Sequence, residues 1–140
     1  HIALVNMDIH TDTFEINRAY GCISYLNHKP HKLFKSPFIR PEDIEKYYKY
    51  ADFIKICGRT LGPEFLKKVI TAYIRRSYTG NLLELTDTME WMAHRFYIPN
   101  DKLPADFFDV VTRCDKICQH CSYCETLFKG QARAIKRLRR

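Results

Sequence analysis

The stretch ADFIKICGRTLGPEFLKKVITAYIRR, residues 51–76, decides the fold class. Residues 51–57 are mostly apolar and partly β-branched, and Gly58 ends them, which is the pattern of a short strand. Pro63 stands near the start of the next element, a position where its missing N–H costs nothing. Phe65, Leu66, Val69, Ile70, Tyr73 and Ile74 then recur at helical spacing, which predicts an amphipathic helix of about fifteen residues. Arg75 and Arg76 fall at its C-terminal end, where cations suit the helix dipole. Thr79-Gly80-Asn81 is the expected stop.

The same alternation is read on the N-terminal side. Residues 33–39 (LFKSPFI) read as a strand or extended segment, and a helix comes next over 41–50. Pro41 sits in its first turn with Glu42 and Asp43, and Ile44, Tyr47 and Tyr48 lie at helical spacing. Two successive strand–helix units with short connections favour parallel pairing and a right-handed crossover, so the fold class is α/β. Further out, residues 2–7 read as a buried strand and 8–13 as a polar turn.

The second half changes character. A short helix is expected over 88–97, a loop over 99–104, and a helix over 105–113 with Phe107, Phe108, Val110 and Val111 available for packing. A basic helix is expected over 125–139, with Leu127, Phe128, Ala132, Ile135 and Leu138 on one side. The chain thus divides into βα units over 1–87 and a helical, cysteine-bearing tail over 88–140.

Composition bounds the class. The 140 residues suffice for one domain, and 46% hydrophobic residues supply a core. No segment approaches the roughly 18 consecutive apolar residues of a membrane span. No export signal is visible, so a reducing cytoplasm is the expected setting. The first residue is His1, not Met, and residues 1–20 resemble the middle of a protein, which suggests a portion of something longer. The net charge is +7, with Lys129, Arg133, Lys136, Arg137, Arg139 and Arg140 in the last twelve residues. Such a run either binds phosphate or is the solvated face of a terminal helix.

Four of the six cysteines fall within eleven residues, as Cys114-x3-Cys118-x2-Cys121-x2-Cys124. Crowding of this kind suits a metal better than bridges between distant segments. Structural zinc sites use two knuckles separated by a long spacer, so that two turns close a tetrahedron about one ion. This run has no spacer, and one continuous loop must wrap whatever it holds. A cubane is larger than an ion, and one loop can reach several of its corners. The run C-x2-C-x2-C-x3-C of bacterial ferredoxins works this way, and here its three gaps stand in reversed order. A 4Fe–4S cluster on Cys114, Cys118, Cys121 and Cys124 is therefore the expected cofactor, with zinc as the alternative and His120 as a conceivable zinc ligand. In two-cluster ferredoxins the fourth cysteine of the run serves another cluster, so Cys22 and Cys57 are candidates for a remote ligand.

Lys55, Cys57 and Arg59 alternate and would share one face of a strand. Cations at a strand's C-terminal end suit an anionic substrate, because α/β folds bind ligands there. The plainer account pairs them with carboxylates such as Glu42 or Asp43. Arg40 is the third candidate for binding an anion, beside the start of the helix at Pro41, where Glu42 and Asp43 more naturally serve as caps. His28, His31 and His94 read as solvated or core-edge residues. There is no Ser/His/Asp order, no Gly-rich phosphate loop and no HExxH.

Several phrases recur together: Lys35-Ser36-Pro37-Phe38-Ile39-Arg40-Pro41-Glu42-Asp43 before a tyrosine-rich helix, Phe53-Ile54-Lys55-Ile56-Cys57-Gly58-Arg59, Ala72-Tyr73 with Arg75 and Arg76, Tyr78-Thr79-Gly80-Asn81-Leu82-Leu83, and the cysteine run with Tyr123-Cys124. Their order, over about residues 20–126, resembles the C-terminal part of the collagenase-like peptidase family. That family also holds oxygen-independent iron–sulfur hydroxylases acting on ubiquinone precursors and on RNA bases. The resemblance implies the last two or three βα units of a (β/α)8 (TIM) barrel, a cysteine-bound 4Fe–4S cluster near the ligand-binding face, and redox or hydroxylation-type chemistry on a small molecule or RNA. A full barrel needs ~250 residues, so the remainder of a longer chain, or a partner subunit, would complete it. The four cysteines cluster at the end of this chain, whereas those of the hydroxylase members are more dispersed. The reading from another class is a zinc-binding nucleic-acid module, resting on the basic helix after the cysteines.

Overall fold

The computed structural model describes residues 21–36 and 38–135. The strand read at 2–7, the turn at 8–13 and the basic residues beyond 135 lie outside them. The described helices are α1 Cys22–His28, α2 Ile44–Tyr47, α3 Pro63–Arg75, α4 Phe107–Thr112 and α5 Tyr123–Gln131, joined by loops and 3-10 turns. Two short strands, β1 Phe96–Tyr97 and β2 Arg133–Ala134, pair antiparallel, with Phe96 opposite Ala134. The described residues thus form a helical fold with a small sheet, and the C-terminal half is helical as the sequence implies. Among them no helix is long and apolar enough to cross a membrane.

The two strands expected in the first half do not form a ladder among the described residues. In place of the strand at 33–39, the chain winds as a 3-10 turn, Pro30–Lys35, and runs without regular structure through Phe38–Arg40. The adjacent residues Leu33 and Phe34 are 0% and 3% exposed. A helical turn can bury two successive side chains in one core, whereas a strand sends them to opposite faces. Residues 51–57 have no partner strand either, and Phe53 is 90% exposed. Strand pairing requires a neighbour to meet the backbone N–H and C=O groups, and no described segment supplies one there.

The helix expected after residue 60 forms as α3, with Pro63 at its first position. It ends before Thr79-Gly80-Asn81, because Arg76 adopts a left-handed conformation (φ 53°). There the amide of Arg76 donates to the carbonyls of Ala72 and Tyr73, and that of Ser77 donates to Ala72, which satisfies the last carbonyls of the helix. Gly58 precedes α3 at φ 106°, and a Cβ there would meet the Phe65 ring at 2.2 Å. Only glycine allows that approach.

The helix expected over 88–97 is reduced to a 3-10 turn, Glu90–Met92, and β1 comes after it. Buried Asn81 accounts for the difference. Its Oδ1 accepts from the amides of Leu83 (3.3 Å) and Ile98 (3.0 Å), and its Nδ2 donates to the Phe96 carbonyl (2.8 Å). These bonds draw residues 96–98 alongside residue 81 in an extended form. The basic helix is shorter than expected and shifted: α5 starts at Tyr123 and ends at Gln131, just after Gly130, a weak helix former. Ala132 turns to an extended conformation, and β2 then pairs with β1.

The larger core lies where α1, the turn Pro30–Lys35, α4 and α5 close around residues 82–98; Leu33, Leu83, Met92 and Ile98 are fully buried there. A smaller core joins α3, through Phe65, Val69 and Ala72, to Leu85. The seam between α2 and α4 is aromatic and charged. Tyr47 meets Phe108 edge-on at 5.1 Å, and the Arg40 guanidinium lies over the Phe107 ring at 5.3 Å.

Candidate functional site

The cysteine run begins where α4 stops. The Thr112 hydroxyl donates back to the Phe108 carbonyl at 2.7 Å, and the helix ends at that residue. Asp115 then makes a side-chain turn, its Oδ1 accepting from the Ile117 amide at 2.8 Å. Lys116 adopts a left-handed conformation (φ 63°). Its amide donates to Cys114 Sγ at 3.3 Å, and its carbonyl accepts from Cys118 Sγ at 3.5 Å. The loop therefore folds on its own sulfurs. Cys114, Cys118 and Cys121 lie in this loop between two helices, as the sequence implies, while Cys124 is the second residue of α5.

All four cysteines line one cavity of about 330 Å³. Its other walls are Phe34, Phe38, Tyr47 and Tyr123, with His31, Lys32, Lys35 and Lys116 at its edge. The four are free thiols. A hydrogen bond from Lys35 lowers the Cys118 thiol below the ordinary cysteine range, against a smaller opposing effect of burial, and Lys32 adds to the lowering. The same bond raises Lys35. Burial pushes the Cys124 thiol up, and repulsion from Cys114, Cys118 and Cys121 pushes it further. The four sulfurs thus share one electrostatic neighbourhood. The Tyr123 hydroxyl, on a side chain of the same wall, is buried with no hydrogen-bond partner.

The donor set consists of four thiols around one cavity. Among the described residues, no three Cys, His, Asp or Glu side chains converge closely enough to hold one metal ion. The cavity nevertheless gathers four soft ligands, and thiolates suit zinc, copper(I) and iron–sulfur clusters. His120 is exposed and does not line the cavity. Neither Cys22 nor Cys57 lines it; both are exposed.

The three cations read as anion-binding are not brought together. Arg40 is buried, 6% exposed, and its Nε donates to Asp43 Oδ2 at 2.7 Å. Asp43 also accepts from Lys46 at 2.9 Å, and Glu42 accepts from the Tyr78 amide and Asn100 Nδ2, both at 2.8 Å. These carboxylates serve other partners than Lys55 and Arg59, which pair with no carboxylate among the described residues. Lys55 lines a separate, smaller cavity with Ile54, Cys57 and Tyr73, and Arg59 is exposed at the start of a 3-10 turn, Arg59–Leu61. The residues that sequence reasoning passed over are Lys32, Lys35 and Tyr123. Their signal was faint: Lys32 and Lys35 stand three apart, which places them on one side of a helical turn but says nothing of what that side faces.

No family model matches the chain, and no solved structure matches it. A curated relative of Methanocaldococcus jannaschii, named "Uncharacterized protease MJ1657", is 37% identical over 106 residues, which make up 76% of this chain and 32% of that protein. The chain therefore spans about a third of the length of the curated relative it matches.

Proposed function

We propose, from the cysteine cavity together with the likeness to the M. jannaschii protein, that this chain is the cluster-bearing portion of a longer cytoplasmic iron–sulfur enzyme of the collagenase-like peptidase family. Cys114, Cys118, Cys121 and Cys124 would hold a 4Fe–4S cluster. The observation that carries the reading is that all four line one cavity, roomier than one ion needs. When bound through all four cysteines, the cluster would supply one-electron redox chemistry.

The chain's own residues then have definite tasks. Lys32 and Lys35 offset the negative charge that four thiolates gather. The Lys116 amide, donating to Cys114, adds to that and holds the loop in shape. Phe34, Phe38 and Tyr47 keep one side of the cavity apolar. The partnerless Tyr123 hydroxyl offers a hydrogen bond to whatever enters. Lys55 and Arg59 are the cations proposed for an anionic substrate, a small molecule or RNA. Arg40 acts at one remove, by fixing Asp43 and the Phe107 ring. The residues of the barrel not found here, and the strands to pair with 51–57, would come from the rest of the longer chain or from a partner subunit. Peptide hydrolysis has no support in the residues present, since the sequence contains neither a serine-protease order nor an HExxH zinc motif.

Anaerobic purification, a visible spectrum and metal analysis test this reading. The expected result is a broad band near ~400 nm with about four irons and four sulfides per chain. One zinc per chain and no colour would overturn it in favour of a zinc-stapled nucleic-acid-binding module.

A further inference from the structure

The mouth of the cysteine cavity carries a charge pattern that cluster ligation does not require. Lys32, Lys35 and Lys116 stand at it, and Lys29 adjoins them. None of these four lysines is in an ion pair among the described residues. The nearby acids are engaged: Glu125 pairs with Lys129 at 2.6 Å, and Asp115 accepts from the Ile117 amide. Apolar surfaces lie beside these lysines. Ile117, between Lys116 and Cys118, is 56% exposed, and Tyr25, close to Lys35, is 50% exposed. Cys114 and Cys121 are themselves exposed.

An apolar centre within a charged rim is the anatomy of a protein-docking face. Here cations outnumber the one lining acid, Glu125, which is itself paired with Lys129, and a predominantly positive rim steers a partner of the opposite sign and raises the rate of encounter. Transient redox encounters need only a limited face, since they bury less than about 1,200 Å². RNA is the weaker candidate. Binding of single strands combines a basic groove with exposed rings on which bases stack. The rings Phe34, Phe38, Tyr47 and Tyr123 are buried or half-buried in the cavity wall, which leaves Tyr25 alone at the rim.

On the premise of the cluster reading, we infer that this face docks a small acidic one-electron carrier protein, of the flavodoxin or ferredoxin kind, which reduces the cluster held by the four cysteines. The carrier is oxidised by one electron and the cluster is reduced by one. No bond is made or broken, and no proton need move.

The test uses the full chain with its cluster, verified first by the band near ~400 nm. Photoreduced flavodoxin is mixed with it in a stopped-flow instrument, and bleaching of the band is monitored. The rate constant should fall on the order of tenfold between about 50 and about 500 mM salt. Reversing one rim charge, Lys29→Glu, should cost about threefold at low salt. The spectrum, and the rate with photoreduced deazariboflavin, a small uncharged reductant, should stay as in the parent chain. Titration calorimetry with oxidised flavodoxin should show binding that Lys29→Glu weakens. A rate independent of salt, or a Lys29→Glu variant that is unaffected, overturns the docking face and leaves the cluster standing. Displacement of flavodoxin by a single-stranded RNA that binds more tightly overturns it in favour of phosphate recognition. A colourless chain overturns both readings, and the initial spectrum tells that outcome from the others.

Discussion

Two regions of this chain set thiols beside cations, and they do so by different means. In residues 55–59 the arrangement is purely local: Lys55, Cys57 and Arg59 are neighbours in sequence, all three are exposed, and the apolar residues around them, Phe53 foremost, face solvent. In the cysteine loop the arrangement is tertiary. Lys35 donates to the carbonyl of Lys116, 81 positions away, because α5 packs on the turn Pro30–Lys35 through Leu33 and Leu127. The first borders a smaller cavity with a single thiol, whereas the second gathers four thiols around one cavity. The difference teaches that a charge pattern along the chain is weak evidence of a site, whereas segments held together by a shared core can build one.

The largest effect should come from breaking the cysteine loop. Cys114→Ser or Cys121→Ser should remove nearly all absorbance near ~400 nm from the anaerobically purified chain, while Cys57→Ser and Cys22→Ser should keep it. Equal bleaching by Cys57→Ser would erase the contrast between the two regions and restore Cys57 as a remote ligand.

Next in size is the ion pair at the seam. Asp43 is 3% exposed and meets buried Arg40. Asp43→Ala leaves that guanidinium without its partner, a loss expected to cost about 3–5 kcal/mol. Burial pushes the Asp43 carboxyl up, but the hydrogen bonds and charges of Arg40 and Lys46 outweigh it, and the group is held below the usual carboxylate range. A depressed folded value means that the unfolded chain takes up the proton first. The stabilisation is therefore complete above about pH 5, and it is lost as pH falls through the unfolded value near ~4 and on to the folded one. Urea midpoints should drop over that window in the parent chain and drop less in Asp43→Asn. A midpoint that held steady down to pH 3 would show that Asp43 is not paired in the folded chain.

The cores of the two regions can be compared directly. Leu83 is fully buried, and Leu83→Ala should cost about 2–5 kcal/mol by urea unfolding. Phe53 is 90% exposed, and Phe53→Ala should stay within about 0.5 kcal/mol. If Phe53→Ala proved as costly as Leu83→Ala, residues 51–59 would have a partner that the described residues do not contain.

Legibility in the sequence divides along the same line, between local and tertiary. The amphipathic helix α3 was legible, with Pro63 at its start, because its period lies within one segment. So was the placement of the cysteine run between two helices. The turn Pro30–Lys35 was not, because LFKSPFI is apolar enough for either a strand or a buried turn, and only the shared burial of Leu33 and Phe34 decides between them. The helix expected over 88–97 was lost to one side chain, Asn81, whose partners lie as far as 17 positions away. The cations beside the sulfurs were invisible for the same reason: no local pattern marks Lys35 as the neighbour of Cys118.

The smallest expected effect concerns how α3 is attached. Lys68 on α3 meets Glu84 Oε2 at 2.8 Å, and the Tyr78 hydroxyl donates to the same oxygen at 2.9 Å. Both members of the ion pair are well exposed, 42% and 38%, so water and salt screen it. Beneath it lies the small apolar core of Phe65, Val69, Ala72 and Leu85. If that core holds the helix, Lys68→Ala should cost only about 0.2–1 kcal/mol at low salt, and the difference from the parent chain should fade in about 1 M sodium chloride. A loss of several kcal/mol that persisted in high salt would mean that the pair, and not the apolar core, fixes α3. The side of the molecule bearing Lys55 and Arg59 would then be held by charge, where the cysteine loop is held by packing.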